Sequence, residues 1–251
     1  MPDLTLSAQK IKSIIKLHQK KYRDEMGLFI AEGYKALEEC LYSNIEIVDI
    51  YAQENAQIPK EASNITYINE KTMKKISTTA SVCEILTVAK KKNIDPKQFP
   101  NFRKIALLEN ISDPGNLGTI IRSAAAFGIE GIILFSDCTE LYSPKVIRSC
   151  AGNFFKIPVI AIKNTNDLKM LLPEHTFVAT ALSRNNNISL YQCSKINKLT
   201  IMLGSEAKGL SSELINISDY NIHLDMTNNV ESLNVAVCAS IIFYELSKHN
   251  T

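Results

Sequence analysis

The chain has 251 residues, 45% hydrophobic and 22% charged, with a formal net charge of +2. That is the balance of an ordinary soluble globular protein, long enough for one large domain or two modest ones, and its overall charge does not demand a nucleic-acid partner. Six scattered cysteines without a Cys-x-x-Cys, and four dispersed histidines, exclude a disulfide framework and a metal site by ligand spacing; no metal is expected.

Charge is unevenly distributed. Before position 24, Lys10, Lys12, Lys16, Lys20, Lys21 and Arg23 face only Asp3. The run reads either as a solvated helix face or as a footprint for phosphates. Apolar Ile11, Ile14 and Ile15 recur at helical spacing over Ser7–Lys20. "GLFIAEG" reads as a strand, Tyr34–Tyr42 as a helix and Ile45–Ala52 as a strand. "TYIN" follows as a short strand, "EKTMKKIS" as a short helix and "ILTVAK" as a strand. These pieces suffice for a small α/β domain. Residues 90–104, charged and holding Pro96 and Pro100, read as an extended linker. The expected domains are therefore 1–97 and 98–251.

The second part alternates more regularly. Strands are expected at "IALLE", "GIILF", "KIPVI", "TFVATAL", "LTIMLG" and "YNIHL". Helices are expected at "GNLGTIIRSAAAFG", "SPKVIRSCAG", "NDLKMLL", "SSELI" and "SLNVAVCASIIFYELSK". The pattern implies a mostly parallel sheet covered on both faces. The N-terminus is polar, and the longest apolar run, Val235–Tyr244, is too short to span a bilayer. A cytoplasmic protein with no membrane partner is the expectation.

Three stretches carry chemistry. In the first, a "DPGN" turn opens a helix with Asn116 as its expected N-cap, and Arg122 lies alone among Ile120, Ile121, Ala124, Ala125 and Ala126. Gly115 and Gly118 match neither a dinucleotide fingerprint nor a P-loop, which disfavours a nucleotide-binding oxidoreductase. Arg122 reads equally as a snorkelling residue or as a functional cation. The second stretch, "LGSEAKGL", sets a carboxylate between glycines at a strand's carboxyl end, where open α/β sheets bind ligands. In the third, Ser232 and Asn234 begin a helix apolar on nearly every side; they suit capping, or hydrogen bonding to a ligand hydroxyl.

Taken in order, "NLGTIIRSAAAFG", "LGSEAKGL" and "VESLNVAV" resemble the three motifs of the SpoU/TrmH family of RNA ribose 2′-O-methyltransferases, over Ile105 to the C-terminus. "KIKSIIKLHQKKYRDEMGLFIAEGYKALEE" resembles the substrate-binding domain that precedes the catalytic domain in ribosomal-RNA members. The resemblance implies an α/β fold in two parts: a small N-terminal RNA-binding domain and a C-terminal methyltransferase domain tied in a deep trefoil knot, working as a homodimer with S-adenosylmethionine as cofactor. Carried over by residue, Gly204, Leu224 and Leu233 line the cofactor pocket. Thr180 and Ala181 flank it, and Ser205 and Met226 are further candidates. Arg122 matches the catalytic arginine, Asn116 and Glu206 hold it or the RNA, and Ser232 and Asn234 sit beside the reacting ribose. The sequence departs from the family where Asp225 replaces a proline, in "TNNVE", in "ASVCE" for a "TPQG"-like piece, and in "RSCAGN", where Cys150 and Asn153 stand for serine and alanine.

That set suits the chemistry. A ribose hydroxyl becomes nucleophilic only as its proton leaves, so it must be positioned and its proton accepted or relayed. A free guanidinium, with a pKa of about 12.5–13.8, is an awkward base. Arg122 therefore either acts as a base perturbed by its surroundings or clamps a phosphate and stabilises the developing oxyanion. The expected substrate is ribosomal RNA. Transfer RNA, or a non-catalytic RNA-binding or ribosome-assembly role on the same fold, are the alternatives.

Overall fold

The computed structural model describes residues 6–79, 81–181, 186–227 and 232–248. The chain divides into two compact units, 1–93 with 140–155, and 94–139 with 156–251. The 140–155 piece, which sequence reading assigned to the methyltransferase domain, packs within the first unit.

The first unit holds α1 (Ala8–Lys16), α2 (Lys20–Met26), β1 (Leu28–Glu32), α3 (Tyr34–Tyr42), β2 (Ile47–Ala52), β3 (Ile65–Tyr67), α4 (Glu70–Ile76) and β4 (Ile85–Lys90). Its sheet runs β1-β4-β2-β3, with β4 antiparallel to both neighbours and β2 parallel to β3. Ile14, Leu17, Ile30, Tyr51, Met73 and Ile76 form one core cluster, so the helical face expected around Ile14 is the buried one. Arg23 leaves the expected basic face: it is 3% exposed, donates to the Leu17 carbonyl and pairs with Glu140. Lys10, Lys20 and Lys21 meet Asp49, Asp24 and Glu25. The run is thus largely a neutralised helix surface, and its open cations are fewer than the sequence count suggests.

The 140–155 piece carries α6 (Pro144–Ser149), capped by Ser143. Tyr142, Phe154 and Phe155 gather round Phe29 of β1, with ring centroids 4.8–5.8 Å apart. Three buried or half-buried carboxylates fasten the piece: Glu140 takes Arg23, Glu32 takes Arg148, and Glu39 accepts the Phe155 N–H at 2.5 Å.

The second unit holds β5 (Lys104–Glu109), α5 (Pro114–Ala126), β6 (Gly131–Phe135), β7 (Val159–Ile162), α7 (Thr165–Leu171), β8 (Thr176–Thr180), α8 (Leu190–Ser194), β9 (Leu199–Leu203), α9 (Ser212–Ile217), β10 (Tyr220–Ile222) and α10 (Val235–Ser247). Its sheet has the order β10-β8-β9-β5-β6-β7 with every pairing parallel. Each residue of β5, β6 and β9 is buried. Side chains alternate between faces, so complete burial means both faces are covered, as expected. The expected extended linker is instead a 3-10 turn over Pro96–Asn101, held by the Asp95 side chain and by Phe99, which is fully buried. Tertiary burial of one aromatic overrides the composition signal. Among the described residues no helix is long and apolar enough to cross a membrane.

Candidate active site

The site is assembled at the carboxyl edge of the parallel sheet, where each strand hands the chain to a loop. At the end of β5 the chain leaves through Asn110, and at the end of neighbouring β6 through Ser136, both left-handed with φ of 56° and 59°. Side chains there cost on the order of 1 kcal/mol or more and persist where surrounding structure holds them. Asn110 Oδ1 accepts the Asp137 N–H at 3.3 Å, tying the two exits together. Helix α5 then starts at Pro114. Its N-cap is Asp113, whose Oδ1 accepts the Asn116 N–H at 2.8 Å; this corrects the expectation that Asn116 caps it. Freed from capping, the Asn116 amide turns to other partners.

Those partners join the three motifs. Asn116 Nδ2 donates to Glu206 Oε1 at 3.1 Å, and Asn234 Nδ2 donates to Asn116 Oδ1 at 3.0 Å. Glu206 Oε1 also accepts the Val235 N–H at 2.9 Å. Asn234 is the N-cap of α10, accepting from the Ala236 and Val237 N–H groups at 3.0 and 3.3 Å. One amide therefore caps α10 with its oxygen and reaches Asn116 with its nitrogen. Ser232, expected at the helix start, lies two residues before the cap and caps nothing.

The loop that carries Glu206 is built on close backbone approach. A Cβ on Gly204 would lie 2.1 Å from the Gly209 carbonyl carbon and oxygen and 2.4 Å from Leu210 N. No side chain fits there. Gly209 itself is left-handed, and its N–H closes the loop on the Ser205 carbonyl at 2.8 Å. Buried Glu109, at the end of β5, accepts the Ser211 N–H at 2.6 Å and fixes the loop's far end. Sequence reading missed Glu109 and gave Gly209 no role; the signal was a carboxylate closing the apolar run Ile105–Leu108.

Beside this loop is a cavity of about 630 Å³. Thr180, Ala181, Gly204, Ser205, Leu224, Met226 and Leu233 all line it, together with Glu206 and Ser232. Its walls also include Leu210, Ile222, Cys238 and Ile242, which sequence reading did not single out. Thr180 is held by its hydroxyl, which donates to the Met202 carbonyl at 2.9 Å. Asp225 lies at the rim, 96% exposed in its side chain and 3.0 Å from His223 Nε2, so its charge faces water more than the cavity. Most of "TNNVE" (228–231) falls outside the described residues.

Arg122 is exposed on α5 and, among the described residues, has neither hydrogen-bond nor ion-pair partner. It does not line the cavity. Its neighbours Ile120, Ile121 and Ala124 face the core, and the adjacent Ser123 meets Ser240 of α10, 2.7 Å apart. The guanidinium is thus kept out of the core, without a structural partner among the described residues.

Residues 103–244 match the model of the SpoU rRNA Methylase family. The chain belongs to that family. Residues 8–87 match the MRM3-like substrate binding domain. Among SpoU relatives, the 23S rRNA (guanosine(2553)-2′-O)-methyltransferase RlmP of Bacillus subtilis (strain 168) is 29% identical over 242 residues, 95% of this chain and 96% of that protein. The AdoMet-bound rRNA methyltransferase from Sinorhizobium meliloti superposes with a TM-score of 0.86 at 27% identity, covering 98% of this chain and 97% of that one. AviRb from Streptomyces viridochromogenes, solved with AdoMet, has a TM-score of 0.84 over 97% of this chain and 98% of its own; at 20% identity it shows the fold alone.

Proposed function

We propose that this SpoU protein methylates a ribose 2′-hydroxyl of ribosomal RNA, with S-adenosylmethionine held in the 630 Å³ cavity. The observation that carries the reading is the hydrogen-bonded group Asn116–Glu206–Asn234 at the cavity's edge, which joins the three motifs through side chains. Its size lies within the range of small-ligand sites. Its apolar walls with carboxylates at the edge suit a ligand that pairs an apolar ring system with positive charge. Thr180, Ala181, Gly204, Ser205, Leu224, Met226 and Leu233 would hold the cofactor. When bound, it supplies an electrophilic methyl group.

The chain's own residues supply position and charge. Asn116 and the Val235 N–H lock Glu206, so one carboxylate oxygen is committed to structure. Ser232, exposed at the cavity, is a hydroxyl in reach of an incoming ribose. An exposed guanidinium with no partner among the described residues can offer its fork to phosphate oxygens, which favours the clamp role for Arg122 over the base role. A relative named for 23S rRNA that aligns over 95% of the chain, the substrate-binding match at 8–87 included, supports ribosomal RNA over transfer RNA.

We place RNA recognition in the first unit and methyl transfer in the second, with the C-terminal segment knotted as in the family and the protein in the cytoplasm. Exposed Val237, Ile241 and Tyr244 recur along one face of α10, which supports a homodimer through the catalytic domain. The test is methyl transfer from labelled S-adenosylmethionine to ribosomal RNA from a strain lacking this gene, with the product mapped by reverse transcription. Methylation at one ribose is expected. Transfer to transfer RNA instead would replace the substrate, and no transfer to either, with cofactor still bound, would leave the non-catalytic reading.

A further inference from the structure

Helices α1 and α2 present cations that the fold does not use. On α1, Ile14 is buried and Ile11 packs against the same core cluster, which turns Lys12 and Lys16, one helical turn apart, outward. On α2, Lys21 is exposed. Lys16 and Lys21 both reach the half-buried ring of Tyr22, with Nζ 5.3 and 5.8 Å from its centroid. We propose that Lys12, Lys16 and Lys21, grouped round Tyr22, hold the sugar–phosphate backbone of the RNA substrate. The inference rests on the ribosomal-RNA reading above and adds to it the surface by which the first unit takes hold of the strand.

The other cations of these helices are already neutralised. Lys10 meets Asp49 at 2.9 Å, and Arg23 is buried on Glu140. Asp24 takes Lys20 on one oxygen at 2.5 Å and Lys91 on the other at 2.6 Å. Lys12 and Lys16 have no hydrogen-bond or ion-pair partner among the described residues. Lys21 has Glu25 only at 3.9 Å, and their side chains are 73% and 54% exposed, so water screens the pair. Lysines at i and i+4 weaken a helix, and two ammonium groups drawn to one ring repel each other. Attraction to the ring offsets part of that cost. An anion laid across the three offsets the rest.

A nucleic-acid strand suits the arrangement. Lys12 and Lys16 stand about 6 Å apart along the axis, at 1.5 Å per residue, close to the step between successive phosphates. Lysines are point charges without the planar fork of arginine, so the surface grips backbone and leaves sequence unread. Exposed Ile15 and the Tyr22 ring add apolar surface where sugars and unstacked bases can rest. An acidic protein would meet the same charges, but all three lysines fall within residues 8–87, which match a substrate-binding model in a chain of the rRNA methylase family.

The test measures the Kd of the full chain for ribosomal RNA from a strain lacking the gene, over a series of salt concentrations. One variant carries Lys12→Gln, Lys16→Gln and Lys21→Gln, with glutamine chosen because it keeps helix propensity. A control carries Lys60→Gln, Lys163→Gln and Lys169→Gln, which removes the same charge from other exposed positions. Expected for the first variant are a Kd raised roughly tenfold or more in low salt and a slope of log Kd against log salt lower by about two, at ~0.7 per single-strand phosphate contact. The KM for RNA should rise with the Kd, while kcat, the Kd for S-adenosylmethionine and the Tm are kept. The control should stay within about threefold of the unaltered chain, the effect of net charge alone. Equal losses in both variants, or an unchanged salt slope in the first, overturn the surface and leave the methyltransferase reading intact. An unaltered chain that does not bind ribosomal RNA overturns the substrate reading and the surface together.

Discussion

Glu32→Ala should destabilise the first unit by about 3 kcal/mol, the lower end of what breaking a buried ion pair costs. The Glu32 side chain is 1% exposed and its two oxygens serve four N–H and O–H donors, with the Cys83 thiol a fifth at 3.8 Å. Ser77 Oγ and Thr78 N reach Oε1 at 2.8 and 2.7 Å, and Thr78 Oγ1 and Arg148 Nη1 reach Oε2 at 2.5 Å each. Truncation removes a partner from all four, although Ser77 Oγ keeps Thr79 Oγ1 and Arg148 Nη1 keeps Thr78 Oγ1. The Arg148 head is 31% exposed and can rehydrate in part, which is why the lower end applies. The pH dependence follows from the same contacts. Burial pushes the Glu32 carboxyl up, but Thr78, Ser77 and Arg148 together hold it below the usual glutamate value of 4.5. A depressed folded value means that the charged form's stabilisation is present above about pH 4.5 and is lost as pH falls through the folded value. The gap between the unaltered chain and Glu32→Ala should therefore be constant at neutral pH and narrow in acid. Urea titration followed by circular dichroism measures the gap, and hydrogen exchange at Thr78 and 144–149 locates it. A Glu32/Arg148 double-mutant cycle measures the pair itself. A coupling below about 0.5 kcal/mol, or a gap that does not narrow in acid, would refute the latch.

Other substitutions test the second unit. Gly204→Ala drives a methyl group into the Gly209 carbonyl, so cofactor affinity measured by calorimetry should be lost while the far-UV spectrum is kept. Asn234→Ala removes the α10 cap and should cost about 1 kcal/mol in denaturant titration, with a larger loss in kcat than stability alone explains, because Glu206 loses its support through Asn116. Arg122→Ala should leave stability within about 0.5 kcal/mol, as for an exposed side chain without partners, yet abolish methyl transfer; a matching loss of Tm would make Arg122 structural.

How far the sequence reached depends on which force acted. Strand identity was legible at β4 and β6, whose bounds match the expectation, because continuous apolar runs bounded by turns leave few alternatives. All seven cofactor-lining residues expected from the family resemblance fall on one cavity. What the sequence hid was long-range partnership. Nothing in "SPKVIRSCAGNFF" announces that Arg148 will meet a carboxylate 116 positions earlier, nor does Arg23 announce Glu140; a charge count scores both as surface cations. The same limit explains Asn116. Local propensity makes Asn and Asp equally good caps, and Asp113 takes the role because Pro114 suits the first helical position. That displacement is consequential. With Asp113 capping α5, the Asn116 amide is released to bind Glu206 and Asn234, so an error of three residues in a helix start is the difference between an isolated turn and the hydrogen-bonded centre that joins the three motifs.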